Sequence, residues 1–257
     1  MSDFKPKRLE FANGTFFVNR KKTFSPSVYR NPRVVDKCFN FAWSMTYGGI
    51  GEHRSNRSGG TSSRKNGEIF ANTFQGKMAE FAMFEIFENL EGVKYPDLSL
   101  HPLGKWDTCD IVIGNYKIAV KSTKSFGNLL LLEASDWSME ADYLNNPKTE
   151  SPDMFALVRI APEVEKLMRS GRLLYSSTCE RENLYSIVVT QHDYKFDICG
   201  FASRDDIKMA IKLDQRLEKG SKLNGTTTMD ANNFYIQAGD LRTLDSMIKQ
   251  FPALKEQ

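Results

Sequence analysis

The sequence predicts an α/β (α+β) fold, with a central mixed β-sheet flanked by helices and preceded by a basic N-terminal extension. Three stretches carry this. In residues 68–90, Ile69, Phe70, Phe74, Met78, Phe81, Ala82 and Phe87 recur at three- and four-residue steps, the period of a helix with one wide buried face. Residues 107–124 read as two short strands joined by a turn at Gly114 and Asn115. Residues 154–160, MFALVRI, form an apolar run of strand length, after which helical and strand patterns alternate.

Taken in order, residues 1–32 are basic and broken by Pro6, Pro26 and Pro32, with Phe11, Phe16, Phe17, Phe24 and Tyr29 available as anchors on the body or as stacking groups. Residues 33–47 carry Val34, Cys38, Phe41 and Met45 about one turn apart, an amphipathic helix. Residues 48–66 then turn Gly- and Ser-rich, interleaved with Arg54, Arg57, Arg64 and Lys65. Small residues let backbone approach a surface, and spaced cations suit phosphates or guanine edges. A solvated linker has the same composition. In the helix at 68–90, Gly76 costs stability relative to Ala, which points to a close packing contact there. Gly92 can end the helix.

Residues 93–102 give a weak strand signal before the hairpin. After it, 126–137 hold a short apolar run suited to a buried strand or a helix start, and 142–153 a surface connection. A helix is expected at 162–170 and a strand at 184–190 (LYSIVVT), paired by 196–201. Ser203 with Asp206 three residues on is a capping box, opening a helix to about residue 217. A loop at 220–233, a strand at 234–237 and a helix at 241–251 complete the chain, with no internal repeat.

The charge is unevenly placed. Residues 1–65 hold 13 Lys/Arg against 4 Asp/Glu, and the remainder 22 against 28, so a basic quarter adjoins an acidic body and suits a polyanionic partner. The expected division is a basic arm and loop at 1–65 and a separate domain at 66–257. Cys38, Cys109, Cys179 and Cys199 form no CxxC pair, and with three dispersed histidines (His53, His101, His192) a zinc site has little support. The N-terminus lacks a signal-peptide pattern and the longest aliphatic run, 129–132, is too short to span a bilayer. The expectation is a cytoplasmic protein with free thiols, no membrane partner and no nucleotide cofactor.

The chemistry centres on the hairpin. Phosphodiester hydrolysis needs an activated water and stabilisation of charge on phosphate and leaving group, and a hard divalent cation supplies much of both. Mg²⁺ takes carboxylates, carbonyls and waters, and a nearby lysine can orient or deprotonate the water. Asp110 on one strand and residues 119–121 on the other sit opposite each other in such a hairpin, with 119 and 121 on one side.

Asp110, the short hairpin, and Ala119, Val120 and Lys121 followed by Ser122, Thr123 and Lys124 make the chain resemble the PD-(D/E)XK superfamily, in particular type II restriction endonucleases. The preceding helix with Lys77 and Glu80, the 154–160 strand and the 199–207 strand-to-helix segment add to the likeness, which covers about residues 68–210. The resemblance implies a restriction-endonuclease-like core and a Mg²⁺-dependent endonuclease acting on double-stranded DNA, with Mn²⁺ able to substitute and a homodimer as the working unit. It makes Asp110, Glu80 and Lys121 catalytic. The metal ligands would be Asp110, Glu80, the carbonyl of Val120 and, as an alternative acid, Glu133. Arg54, Arg57, Arg64, Lys65, Ser122 and Lys124 would contact DNA. The family's second acid falls at position 119, where this chain has Ala119, so the acid must come from elsewhere: Glu80 by preference, Glu133 second. Asp107 is an alternative to Asp110. Two other readings stay open, a structure-specific repair or recombination nuclease and a catalytically silent DNA-binding protein.

Overall fold

A five-stranded sheet forms the centre of the molecule, and the chain reaches it in stages. The computed structural model describes residues 4–48, 64–100, 109–145 and 150–249. The N-terminal segment contributes β1 (Glu10–Ala12), β2 (Thr15–Phe17) and β3 (Ser27–Val28), then α1 (Val34–Thr46) and α2 (Asn66–Phe87). The hairpin strands are β4 (Ile111–Ile113) and β5 (Tyr116–Lys124), followed by β6 (Leu129–Glu133) and β7 (Met154–Ala161). Helices α3 (Val164–Ser170) and α4 (Arg181–Tyr185) lead to β8 (Lys195–Ser203) and α5 (Arg204–Lys212). Then come β9 (Arg216–Leu217), β10 (Lys222–Leu223), β11 (Thr227–Thr228), β12 (Asn233–Gln237) and α6 (Leu244–Ile248). The class is mixed α+β, as the order of patterns predicts.

The central sheet runs β3-β8-β7-β5-β4, parallel between β5 and β7 and antiparallel elsewhere. Strand β7 is apolar apart from Arg159 because both its faces are covered. Ala156, Val158 and Ile160 pack with α1 and α2, while Phe155 and Leu157 pack with α5, β6 and β12. Two smaller sheets, β6-β12-β9 and β1-β2-β10-β11, complete the architecture.

Helix α2 is sandwiched between α1 and the sheet, and 12 of its 22 residues are buried, more than one amphipathic face requires. Phe70, Phe74 and Phe81 are almost fully buried, each worth about 1.5–3 kcal/mol of transfer free energy. A Cβ at Gly76 would meet nothing within 4 Å, so the expected packing contact is not there. It lies at Gly67, where a Cβ would fall 2.1 Å from the carbonyl oxygen of Leu173.

The basic arm is woven into the body. Its β3 extends the central sheet beside β8, and β2 pairs in parallel with β10. Arg159 of β7 is 1% exposed; its guanidinium binds Asp197 and donates to the carbonyls of Lys22 and Thr23, each at 2.8 Å. Buried Glu85 accepts the N–H groups of Arg30 at 2.9 Å and Asn31 at 3.3 Å. Gln237 accepts from the N–H groups of Asn19 and Arg20.

Three local expectations are corrected. Residues 184–190 are helical, α4 continuing into a π-helical turn. Leu184 and Val188 lie one turn apart and are fully buried, and that shared burial outweighs the β-propensity of Ile187, Val188 and Val189. The partner of β8 is therefore β7. Residues 93–100 form no strand: Lys94 N–H donates to the Val112 carbonyl, but Pro96 has no donor to continue a ladder. The capping box at Ser203 and Asp206 forms, but α5 ends at Lys212, followed by Asp214 in the left-handed region at φ 50°.

Two stability outcomes follow. Gly76→Ala is expected to raise the thermal midpoint, by about 0.5–1 kcal/mol of stability, while Gly67→Ala lowers it. Asp197→Ala leaves the Arg159 charge buried without its carboxylate and is expected to cost about 3–5 kcal/mol in urea unfolding.

Candidate functional site

The hairpin turn is built at Gly114, whose φ of 57° suits a residue without a Cβ. Strand β4 pairs with only residues 116–118 of β5, whereas β7 pairs with 118–124 on the other side. Beyond Ile118, no strand among the described residues pairs with the β4-side edge of β5. Asp110 occupies that edge. Its N–H donates to the Ile118 carbonyl at 3.0 Å, and its Oδ2 accepts the Val120 N–H at 2.6 Å. In an extended strand the N–H and C=O of one residue point to the same side, so the Val120 carbonyl is directed at this edge beside Asp110.

Helix α2 lies on the β5 face that carries Ile118 and Val120, and Gln75 Nε2 donates to Ser122 Oγ at 3.2 Å. This packing brings Glu80 to Asp110. The Glu80 side chain is only 12% exposed and accepts from Lys77 Nζ at 2.6 Å. Lys77 in turn lies 4.9 Å above the Phe41 ring. Burial pushes the Glu80 carboxyl up from 4.5 to about 8, and the negative charge of Asp110 pushes it the same way. Lys77 pulls it down and Asp97 adds a smaller upward push. The ion pair alone would lower the value, so dehydration and the Asp110 charge together outweigh it. The role of Lys77 as the partner of Glu80 follows from their three-residue spacing, which sets the two side chains side by side on the helix.

Other candidate residues fall in different places. Ala119 is 5% exposed among Trp137, Phe155 and Leu157, so a carboxylate at that position would be buried in apolar surroundings. Lys121 follows by strand alternation on the Ala119 face, opposite α2, and is half-buried. Among the described residues its ammonium has no hydrogen bond or ion pair. Ser122 is held by Gln75, and Lys124 Nζ pairs with Glu165 of α3 at 2.7 Å. Glu133 belongs to another sheet, opposite Asn233 of β12, and the alternation places it with Leu129 and Leu131 toward the third apolar cluster. Lys65 precedes α2 and its N–H donates to Glu68 at 2.9 Å; Arg64 is half-buried. Arg54, Arg57, His53 and Asp107 lie outside the described residues.

The structure thus brings together two carboxyl groups, Asp110 and Glu80, with a carbonyl of β5. Among the described residues no group of three or more His, Cys, Asp or Glu converges on one point. Two carboxylates and a carbonyl form an all-oxygen donor set, which fits Mg²⁺ or Mn²⁺ completed by waters and substrate oxygens, and does not fit zinc. Comparison with protein-family models, with curated proteins and with solved structures found no match to this chain. Among the described residues no helix is long and apolar enough to cross a membrane.

At neutral pH the folded chain keeps a proton on Glu80 that the unfolded chain has lost, so Glu80 contributes stability that declines as pH rises from 4.5 to about 8. The metal-free protein is expected to become easier to unfold over that range, and Glu80→Gln to flatten the dependence. Urea midpoints measured at steps across the range check this.

Proposed function

We propose that the protein is a metal-dependent endonuclease acting on double-stranded DNA, of the type II restriction kind, built on a restriction-endonuclease-like core. The observation that carries this reading is the meeting of Glu80 and Asp110 at the edge of β5 beyond its pairing with β4. A helix followed by an antiparallel hairpin whose second strand continues into a parallel neighbour also supports it.

In this reading Asp110, Glu80 and the Val120 carbonyl hold Mg²⁺ or Mn²⁺. Bound there, the cation supplies Lewis acidity and a water of lowered pKa. A cation held there would favour the ionised form of Glu80, offsetting the repulsion between its carboxylate and that of Asp110. Lys121, on a long flexible stem, approaches the edge from the opposite face of β5 and orients or deprotonates the attacking water. Lys77 keeps the Glu80 side chain directed toward Asp110. Arg54, Arg57, Arg64 and Lys65 hold DNA phosphates, while Lys124 and Ser122 reach DNA only by exchanging Glu165 and Gln75 for it. A homodimer would present two such sites to the two strands of a duplex.

A second reading, a catalytically silent DNA-binding protein, is favoured by Ala119 alone. The assay that separates them is incubation with a long duplex DNA and Mg²⁺, followed by mapping of ends. Wild-type protein is expected to cut. Lys121→Ala is expected to lose cleavage by at least a hundredfold while its gel-shift affinity stays unchanged, and full cleavage by that variant sinks the assignment. Salt-sensitive gel shifts with no cutting in Mg²⁺ or Mn²⁺ select the silent reading.

A further inference from the structure

A cleft of about 670 Å³ opens between the small β1-β2-β10-β11 sheet and the far end of β5, a size suited to a small ring ligand. Phe17, Phe24 and Phe126 line it, and Phe126 is 67% exposed and Phe17 36% exposed. Its polar lining is positive: Lys21, Lys22 and Arg159 contribute, and no carboxylate does among the described residues. Arg159 and Lys22 are committed to the protein, Lys22 through the Cys199 carbonyl at 2.7 Å. Lys21 makes no hydrogen bond or ion pair among the described residues. Asn224 turns its Oδ1 to the Val18 N–H at 3.1 Å, leaving its amide N–H₂ to donate.

We propose that this cleft holds an unpaired nucleotide of a DNA strand, its base against Phe17 and Phe126 and its phosphate toward Lys21. Three aromatic rings select a planar ring, and cations without carboxylates select an anion; a nucleotide is both. Ser125 and Phe126 directly follow β5, so the cleft lies about 16 Å along the strand direction from Val120. A strand lying along β5 from the candidate site would pass it. The inference rests on the nucleic-acid part of the reading above and extends it to a contact with a base.

The test is fluorescence anisotropy with labelled (dT)12 in EDTA, beside a strand of the same length built of abasic units. Wild-type protein is expected to bind (dT)12 about tenfold more tightly than the abasic strand. Phe126→Ala, at an exposed turn position, is expected to bind (dT)12 about tenfold more weakly and to lose the discrimination. Lys21→Gln is expected to weaken both strands alike. Equal binding of the two strands by wild type, no binding of either, or unchanged (dT)12 affinity in Phe126→Ala overturns the proposal. Mg²⁺-dependent cutting of duplex without base discrimination removes the cleft and keeps the nuclease; base discrimination without cutting does the reverse.

Discussion

The packing of α2 on β5, where β4 stops short, is the constraint on which the rest depends. A nine-residue strand with a three-residue edge partner leaves backbone groups on one side without a ladder among the described residues. Those groups must be satisfied some other way, because unpaired buried donors and acceptors cost free energy. The Asp110 carboxylate meets the Val120 N–H, and the helix closes over the same place with a second carboxyl, Glu80. A burial problem common to any short hairpin is thus solved with groups that can also hold a cation.

The arm is tied both to the central sheet and to α2. Arg159 and Asp197 form a buried ion pair, a device that contributes little net stability but makes loss of either partner costly. The guanidinium also binds two arm carbonyls, so the register of residues 22–25 on the sheet is fixed by hydrogen bonds instead of by apolar contact alone. Glu85 does the same for residues 30 and 31. The basic extension lies on the body over residues 4–32 and gives β1 and β2 to a small sheet and β3 to the central one.

The elements with strong periodicity were legible: α2, the hairpin, β7 and the capped start of α5 stand where apolar spacing and turn chemistry put them. Residues 184–190 were not, because a run of β-branched residues suits a strand by propensity, and only the cluster around Leu184 and Val188 makes the helical face the buried one. Gly76 was assigned a contact that belongs to Gly67, since which helical glycine meets a neighbouring backbone depends on where α3 ends.

From sequence alone came Asp110, Lys121 and the absence of an acid at position 119, all local to one hairpin. Only the tertiary structure decided which distant acid stands beside Asp110. The resemblance prefers Glu80 to Glu133, but the two lie one helix before the hairpin and one strand after it, and spacing alone places neither. The helix packs against the β5 edge and brings its carboxyl there, whereas Glu133 is carried off with β6 into a different sheet. Chain proximity does not distinguish them. The choice is made by which surface α2 must bury.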